Sequence, residues 1–158
     1  MQLCARVLLQ ELMAQPDHGL ERYLEAQDPV FDRVLDELRA GRKRTHWMWF
    51  IFPQIKGLGR SATADHFAIR SLDEARAYAD HPILGPRLRL ATELVNKIEG
   101  RSIHEILGSP DDLKFGSCMT LFARACRGEG RDDGPFVRAL DKYFAGKPDP
   151  LSLERLPP

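Results

Sequence analysis

Apolar residues recur three and four positions apart along most of the chain, which is the spacing of helices that bury one face. The stripes occupy the ranges 31–38, 84–98, 115–126 and 136–144. The strict alternation of apolar and polar residues that is typical of a half-buried strand hardly occurs. The pattern therefore favours an all-α fold.

Capping residues and glycines indicate where these helices begin and end. The expected starts are Asp28-Pro29, Ser61, Ser71 (a capping box with Glu74), Pro82, Ser102 (a capping box with Glu105), Ser109-Pro110 and Asp149-Pro150. The expected ends are Gly41, Gly100, Gly108 and Gly146. Pro82 is expected to open the longest helix. These signals predict a single compact all-α domain over 17–158, with about seven helices joined by short Gly/Pro loops. Residues 1–16 are expected to be an N-terminal extension, also helical.

Composition narrows the range of partners. The 158 residues include 23 Lys and Arg and 23 Asp and Glu, so the formal net charge is zero. Proteins that bind duplex DNA usually carry a basic excess, which argues against duplex nucleic acid as a partner. The longest apolar run, 47–52, is far shorter than the roughly 20 residues that span a bilayer, so no membrane association is expected.

Cysteine and histidine usage bears on cofactors and compartment. Cys4, Cys118 and Cys126 are odd in number and lack the spacing of zinc ligands, and the five histidines are scattered. Eight residues apart on one helix, Cys118 and Cys126 would be separated by about 12 Å, too far for a disulfide. We therefore expect no metal and no other cofactor. Free thiols are typical of a reducing compartment, which predicts a cytoplasmic protein.

The segment 41–54 has a composition that folding alone does not require. It contains both tryptophans, Trp47 and Trp49, and three consecutive basic residues at 42–44. Its apolar side chains point in every direction whether the backbone is helical or extended, which predicts a central place in the core. Pro53 ends regular structure there, and a glycine turn follows at 57–61.

This segment also carries a family resemblance. The run His46-Trp-Met-Trp-Phe-Ile-Phe-Pro-Gln54, followed by Gly57-Leu-Gly59-Arg60-Ser61, resembles the signature of a bacterial family catalogued as domain of unknown function 1810. Further matches are 81–88, 109–114 and 117–122, so that the resemblance extends over 20–153. It implies an α-helical bacterial protein. The family has no established activity, so no substrate is implied.

The candidate residues in this segment each have a functional and a structural interpretation. His46 suits acid–base or ligand chemistry, or it is a buried histidine paired with a backbone carbonyl. Trp47 and Trp49 diverge in direction, so we expect one in the core and one lining a cleft. Five cations lie on either side of the apolar run: Arg42, Lys43, Arg44, Lys56 and Arg60. They either converge on a phosphate at the glycine turn or form a solvated basic loop.

A second set of candidates lies on the helix that follows Pro110. Lys114, Ser117, Thr120 and Arg124 share one face, opposite the apolar stripe. Hydroxyls and cations in such a row suit the wall of a polar pocket. The alternative is an ordinary exposed helix face, because charged side chains are mostly surface residues.

The leading hypothesis is a pocket that binds an anionic, nucleotide-like or phosphorylated small molecule through aromatic and cationic groups. Its expected residues are His46, Trp49, Gln54, Arg60 and Ser61, with Lys114 and Ser117 on a second wall. One alternative is a non-catalytic protein–protein interaction or regulatory module that uses an exposed helix face. Another is single-stranded nucleic-acid binding by the basic and aromatic segment. Catalysis and oligomeric state are left open.

Overall fold

The computed structural model describes residues 17–128 and 130–157. This part of the chain forms ten α-helices and no β-strand, which confirms the all-α prediction. The helices are α1 (Glu21–Gln27), α2 (Phe31–Arg39), α3 (Met48–Ile51), α4 (Ala62–His66), α5 (Leu72–Asp80), α6 (Leu84–Asn96), α7 (Ile103–Leu107), α8 (Asp111–Cys126), α9 (Gly134–Phe144) and α10 (Pro150–Glu154). They exceed the expected seven because several, such as α3 with 4 residues, are too short to repeat an apolar stripe. Within the described ranges, no helix has both the length and the apolar content needed to cross a bilayer.

The helix α8 is the centre of the domain, and α5, α7, α9 and α10 pack against it. Every residue from Phe115 to Phe122 is buried, so this helix has no solvent-facing side in its middle turns. Cys118 and Cys126 lie on it as buried free thiols, in agreement with the sequence prediction. Cys4 and the rest of the expected extension, 1–16, lie outside the described residues.

Two expected helix starts are wrong. Asp28 follows the last residue of α1, and α2 begins at Phe31 without a side-chain cap. Likewise α6 begins at Leu84, two residues after Pro82, and with 13 residues it is shorter than α8 with 16. The imidazole of His81 supplies the missing cap, since its Nδ1 accepts the N–H groups of Ile83 at 3.1 Å and Leu84 at 3.2 Å.

Of the two expected capping boxes, only the one at Ser102 forms completely. Ser71 does cap α5 by accepting the N–H of Glu74 at 3.1 Å. The Glu74 carboxylate, however, accepts the N–H of Arg70 and pairs with Arg22 at 2.8 Å. Glu74 therefore joins α1 to α5 instead of returning to its own cap residue.

A buried carboxylate holds the tryptophan segment in place. Glu37 on α2 is only 7% exposed, and it accepts the indole N–H of Trp47 at 3.3 Å and the Thr45 hydroxyl at 2.7 Å. The backbone N–H groups of Arg44 and Thr45 donate to it as well. Trp47 is 1% exposed as a result, and α3 starts directly after it.

After α3, a short backbone pairing fixes the path of the chain towards α4. The N–H of Ile69 donates to the Gln54 carbonyl and the N–H of Lys56 donates to the Ile69 carbonyl, both at 2.8 Å. The turn at Gly59 packs so closely that an added Cβ would lie 2.4 Å from the Cβ of Ala64. Gln54 and the glycine turn are thereby placed beside the first turns of α8.

Candidate functional site

A groove of about 560 Å³ runs between the N-terminal half of α8 and the segment 144–151 that joins α9 to α10. We call it the α8 groove. Its volume lies within the range of about 300–1,000 Å³ that is typical of small-molecule sites. It is lined by Gln54, Leu58, Gly59, Pro110, Leu113, Lys114, Gly116, Ser117, Phe144, Lys147, Pro148, Asp149, Pro150 and Leu151.

The floor of the groove depends on a glycine inside α8. A Cβ added at Gly116 would lie 2.9 Å from two ring carbons of Phe144, which is closer than such contacts normally come. The absence of a side chain at this position lets the Phe144 ring pack against the helix, with its centroid 6.3 Å from that of the Phe115 ring. The mid-helix glycine that interrupts the apolar stripe in the sequence is therefore part of the groove.

One wall of the groove is held by a carboxylate network. Asp149 caps α10, and its Oδ2 accepts the Ser152 hydroxyl at 2.6 Å and the Ser152 N–H at 3.1 Å. The same oxygen accepts the Ser117 hydroxyl at 2.9 Å, and the N–H of Asp149 donates to Thr120 at 2.8 Å. The hydroxyls of Ser117 and Thr120 therefore join α8 to this wall, and the interpretation of these two residues as an exposed helix face is wrong.

Near one end of the groove, Lys114 belongs to a group of three charged residues that has excess positive charge. Lys43 is only 9% exposed, and its Nζ lies 2.9 Å from Oδ2 of Asp111. Lys114 lies one turn after Asp111 on α8, and its Nζ is 3.8 Å from Oδ1 of the Asp111 carboxylate. Because two ammonium groups share one carboxylate, one positive charge is left uncompensated within this triad, and the more weakly paired group is Lys114.

A second, smaller hollow adjoins this end. Trp49, which is half-buried, lines it together with Phe67, and three residues line both hollows: Gln54, Gly59 and Lys114. The Lys114 ammonium lies 5.4 Å from the centroid of the Trp49 ring, within reach of a cation–π contact. Trp47 lies in the core, as predicted for one of the two tryptophans, and Trp49 lines only this small hollow of about 20 Å³.

The structure thus brings together four of the seven residues expected at the site, Trp49, Gln54, Lys114 and Ser117. The other three, His46, Arg60 and Ser61, are exposed and line neither hollow. Ser61 caps α4 by accepting the N–H of Ala64 at 3.0 Å.

His46 lies outside because Glu37 binds the residues on both sides of it, Thr45 and Trp47. The expected cluster of cations does not form either. Lys43 turns inward to Asp111, whereas Arg42 and Arg44 are exposed. A pocket centred on His46 and Arg60 is therefore not what the structure shows.

Sequence reasoning missed the far side of the groove. Phe144, Lys147 and Asp149 are distant from α8 in the sequence, and no local pattern places them opposite it. One usable signal was Leu113, which lies off the apolar stripe of its helix and is 68% exposed. A large apolar residue on the solvent side of a helix is a reason to look for a groove or an interface there.

Comparison with known proteins adds a family and a fold. A family model described as "Protein of unknown function (DUF1810)" matches residues 17–156. The crystal structure of the conserved hypothetical protein Rv1873 from Mycobacterium tuberculosis is similar, with 52% sequence identity and a TM-score of 0.84 over 88% of this chain and 96% of that one. No curated protein matches the chain. These descriptions name no substrate and no activity.

Proposed function

The chain belongs to the DUF1810 family of proteins of unknown function, and we propose that it binds a small anionic molecule in the α8 groove. The observation that carries the proposal is the pairing of a groove of about 560 Å³ with an ammonium group, Lys114, that has only a loose contact with its carboxylate. A phosphate or carboxylate at Lys114 would neutralise the positive charge that remains because Lys43 and Lys114 share the single carboxylate of Asp111.

The surroundings of Lys114 favour such an interaction. The Lys114 side chain is only 26% exposed and lies beside apolar residues, so that a charge pair is stronger there than at an open surface. Gln54 lines the same end of the groove and its carboxamide can donate a further hydrogen bond. The Trp49 ring lies 5.4 Å from the Lys114 ammonium group in the adjoining hollow. The Ser117 hydroxyl donates a hydrogen bond to Asp149 and so holds that carboxylate in place.

A thermal-shift series tests the proposal. AMP, glucose 6-phosphate and octyl phosphate are compared with adenosine, glucose and octyl glucoside, which lack the anionic group. We expect at least one anion to raise the melting temperature while its uncharged counterpart does not. Titration calorimetry of that anion should show an affinity loss of about tenfold for Lys114→Met, which corresponds to the removal of about 1.4 kcal/mol of binding energy.

The matched control is Lys97→Met, because Lys97 is exposed and does not line the α8 groove. Its affinity should equal that of the unmodified protein. If no anion binds, or if Lys114→Met and Lys97→Met behave alike, the groove is not an anion site.

A second candidate function, contact with another protein, is favoured by a different observation. Of the six large apolar side chains that are exposed in the described part of the chain, four lie close together: Leu113, Val137, Leu151 and Leu153. Leu113 and Leu151 line the α8 groove, and the other two line an adjoining hollow that shares Pro148 with it. Several exposed apolar side chains in one region of a surface are common at protein interfaces.

Sedimentation at increasing concentration tests self-association through this surface. The informative variant is Leu153→Asp, because Leu153 lies outside the α8 groove and its replacement should leave anion binding intact. A dimer that Leu153→Asp dissociates would support the second candidate. A monomer at all concentrations would argue against association of the chain with itself.

A further inference from the structure

The walls of the α8 groove are aliphatic, and this limits the kind of ligand that fits them. Leu58, Leu113 and Leu151 line it together with prolines at 110, 148 and 150, and among the described residues Phe144 is the only aromatic one in the lining. A nucleoside carries hydrogen-bonding groups along the edges of its base and around its sugar. Aliphatic walls leave such groups unpaired, and each unpaired group costs binding energy.

The polar groups that line the groove differ in charge. Gln54 and Lys114 mark one end, where the groove meets the Trp49 hollow. Asp149 and the exposed Lys147 both lie on the opposite wall, where the carboxylate offsets the charge of the ammonium group. An anionic group is therefore favoured more at Lys114, and the remainder of the ligand faces apolar walls.

We infer that the ligand is a single-chain anionic amphiphile, with its phosphate or carboxylate head at Lys114 and its aliphatic chain against Leu113 and Leu151. This inference rests on the proposed function and assigns its ligand class. The two leucines are 68% and 56% exposed, so an aliphatic chain would remove a large apolar area from water. Nucleotide-like ligands, which the sequence favoured, match these walls less well.

A series of alkyl phosphates tests the inference because the head is constant and only the chain changes. Butyl, hexyl and octyl phosphate are titrated into the 158-residue protein by calorimetry, each below its micelle-forming concentration. Full burial of one methylene corresponds to an affinity gain of about fourfold. Since the groove is open on one side, we expect the Kd to fall by about two- to fourfold for each added methylene.

Two variants separate the head from the chain. Lys114→Met should weaken all three alkyl phosphates by the same factor and leave the gain per methylene unchanged. Leu151→Ser should reduce the gain per methylene and leave the binding of butyl phosphate nearly unchanged. Leu90→Ser is the matched control, because Leu90 is also exposed, at 43%, but does not line the groove.

The outcomes distinguish this inference from the proposal on which it rests. If AMP binds in a Lys114-dependent manner and octyl phosphate binds no better than butyl phosphate, the amphiphile assignment is wrong and the anion site remains. If no anion binds in that manner, both are wrong. Binding to vesicles of phosphatidylglycerol and phosphatidylcholine without binding of free octyl phosphate would also overturn the assignment, since the protein would then recognise a membrane surface.

Discussion

The hydroxyl of Ser117 donates a 2.9 Å hydrogen bond to the carboxylate of Asp149, and this contact joins the central helix to the far wall of the groove. The two residues are separated by 32 positions in the sequence. The same carboxylate oxygen caps α10, so the position of this helix and the width of the groove depend on one side chain. Groove shape and domain stability are therefore coupled at Asp149.

Removal of this contact should be measurable as a loss of stability. Ser117→Ala is expected to lower the free energy of unfolding by about 1.5–3 kcal/mol, the range for hydrogen bonds to charged groups. Urea denaturation followed by circular dichroism provides the measurement. Ser109→Ala is the control, because Ser109 is exposed and forms no side-chain hydrogen bond to any described residue. Equal stability of the two variants would show that the Ser117 contact has no energetic weight.

Two glycines within helices should respond differently to alanine. A Cβ at Gly85 would lie 2.2 Å from the backbone oxygen of Ala79, which cannot move away without displacing α5. Gly85→Ala should therefore destabilise the domain by about 1–3 kcal/mol, as expected for overpacking. The three atoms nearest to a Cβ at Gly116 all belong to the Phe144 ring, which borders the groove and can turn into it. Alanine also favours the helix by about 1 kcal/mol.

Gly116→Ala should thus keep a melting temperature close to that of the unmodified protein and lose affinity for the groove ligand. Thermal denaturation and calorimetry of both variants make the comparison. The interpretation of Gly116 as part of the groove fails if Gly116→Ala binds as tightly as the unmodified protein.

The ionisation of Glu37 should make the free energy of unfolding depend on pH. Burial alone would raise the pKa of its carboxyl, but hydrogen bonds from Thr45, Arg44 and Trp47 outweigh burial and hold the pKa below its ordinary value. A lowered pKa stabilises the folded state above the unfolded pKa of about 4.3, and this contribution is lost as the pH falls through the folded pKa.

Glu37→Gln is expected to lower the free energy of unfolding at neutral pH by about 1.5–3 kcal/mol, because charged hydrogen bonds are lost. Below pH 4 the variant and the unmodified protein should approach each other in stability. Urea titrations at several pH values test this. A difference that stays constant across the acid range would contradict the assigned role of the charge.

Helix caps and side-chain contacts could be predicted from the sequence where the residues that form them are close together along the chain. The capping box at Ser102 and the core position of the tryptophan segment were predictable, because both follow from neighbours along the chain. The cap of α6 was not, since it uses a histidine, His81, in place of the usual Ser or Asp. The pairing of Ser117 with Asp149 depends on how α9 folds back, which no local pattern records.

The same distinction explains the candidate site. Gln54 was identified as part of the family signature, and Lys114 was identified by its place on the polar face of the helix that follows Pro110. His46 and Arg60 belong to that signature too, but Glu37 holds the chain so that His46 faces outward. The residue type of His46 thus suggested acid–base or ligand chemistry. The direction of its side chain was set instead by the buried carboxylate of Glu37 on α2.

Neutralising Asp111 should strengthen anion binding. Asp111 is the carboxylate that Lys43 and Lys114 share, so Asp111→Asn leaves both ammonium groups uncompensated. We expect the Kd of octyl phosphate to fall by about three- to tenfold, which corresponds to about 0.6–1.4 kcal/mol. Asp112→Asn is the control, because Asp112 pairs with the exposed His104 instead. Weaker binding by Asp111→Asn would show that Lys114 is not the group that holds the anion.

The most direct test of the groove as the binding site is a residue-by-residue map of amide chemical shifts during titration of the isotope-labelled protein with octyl phosphate. The expected changes are saturable and concentrated at 54–59, 113–117 and 144–151. No comparable change is expected around Arg39 and Lys97, at the ends of α2 and α6, or around Arg101 in the loop before α7. Changes that cluster at those exposed cations, or that never saturate, would contradict the assignment of the α8 groove as an anion site.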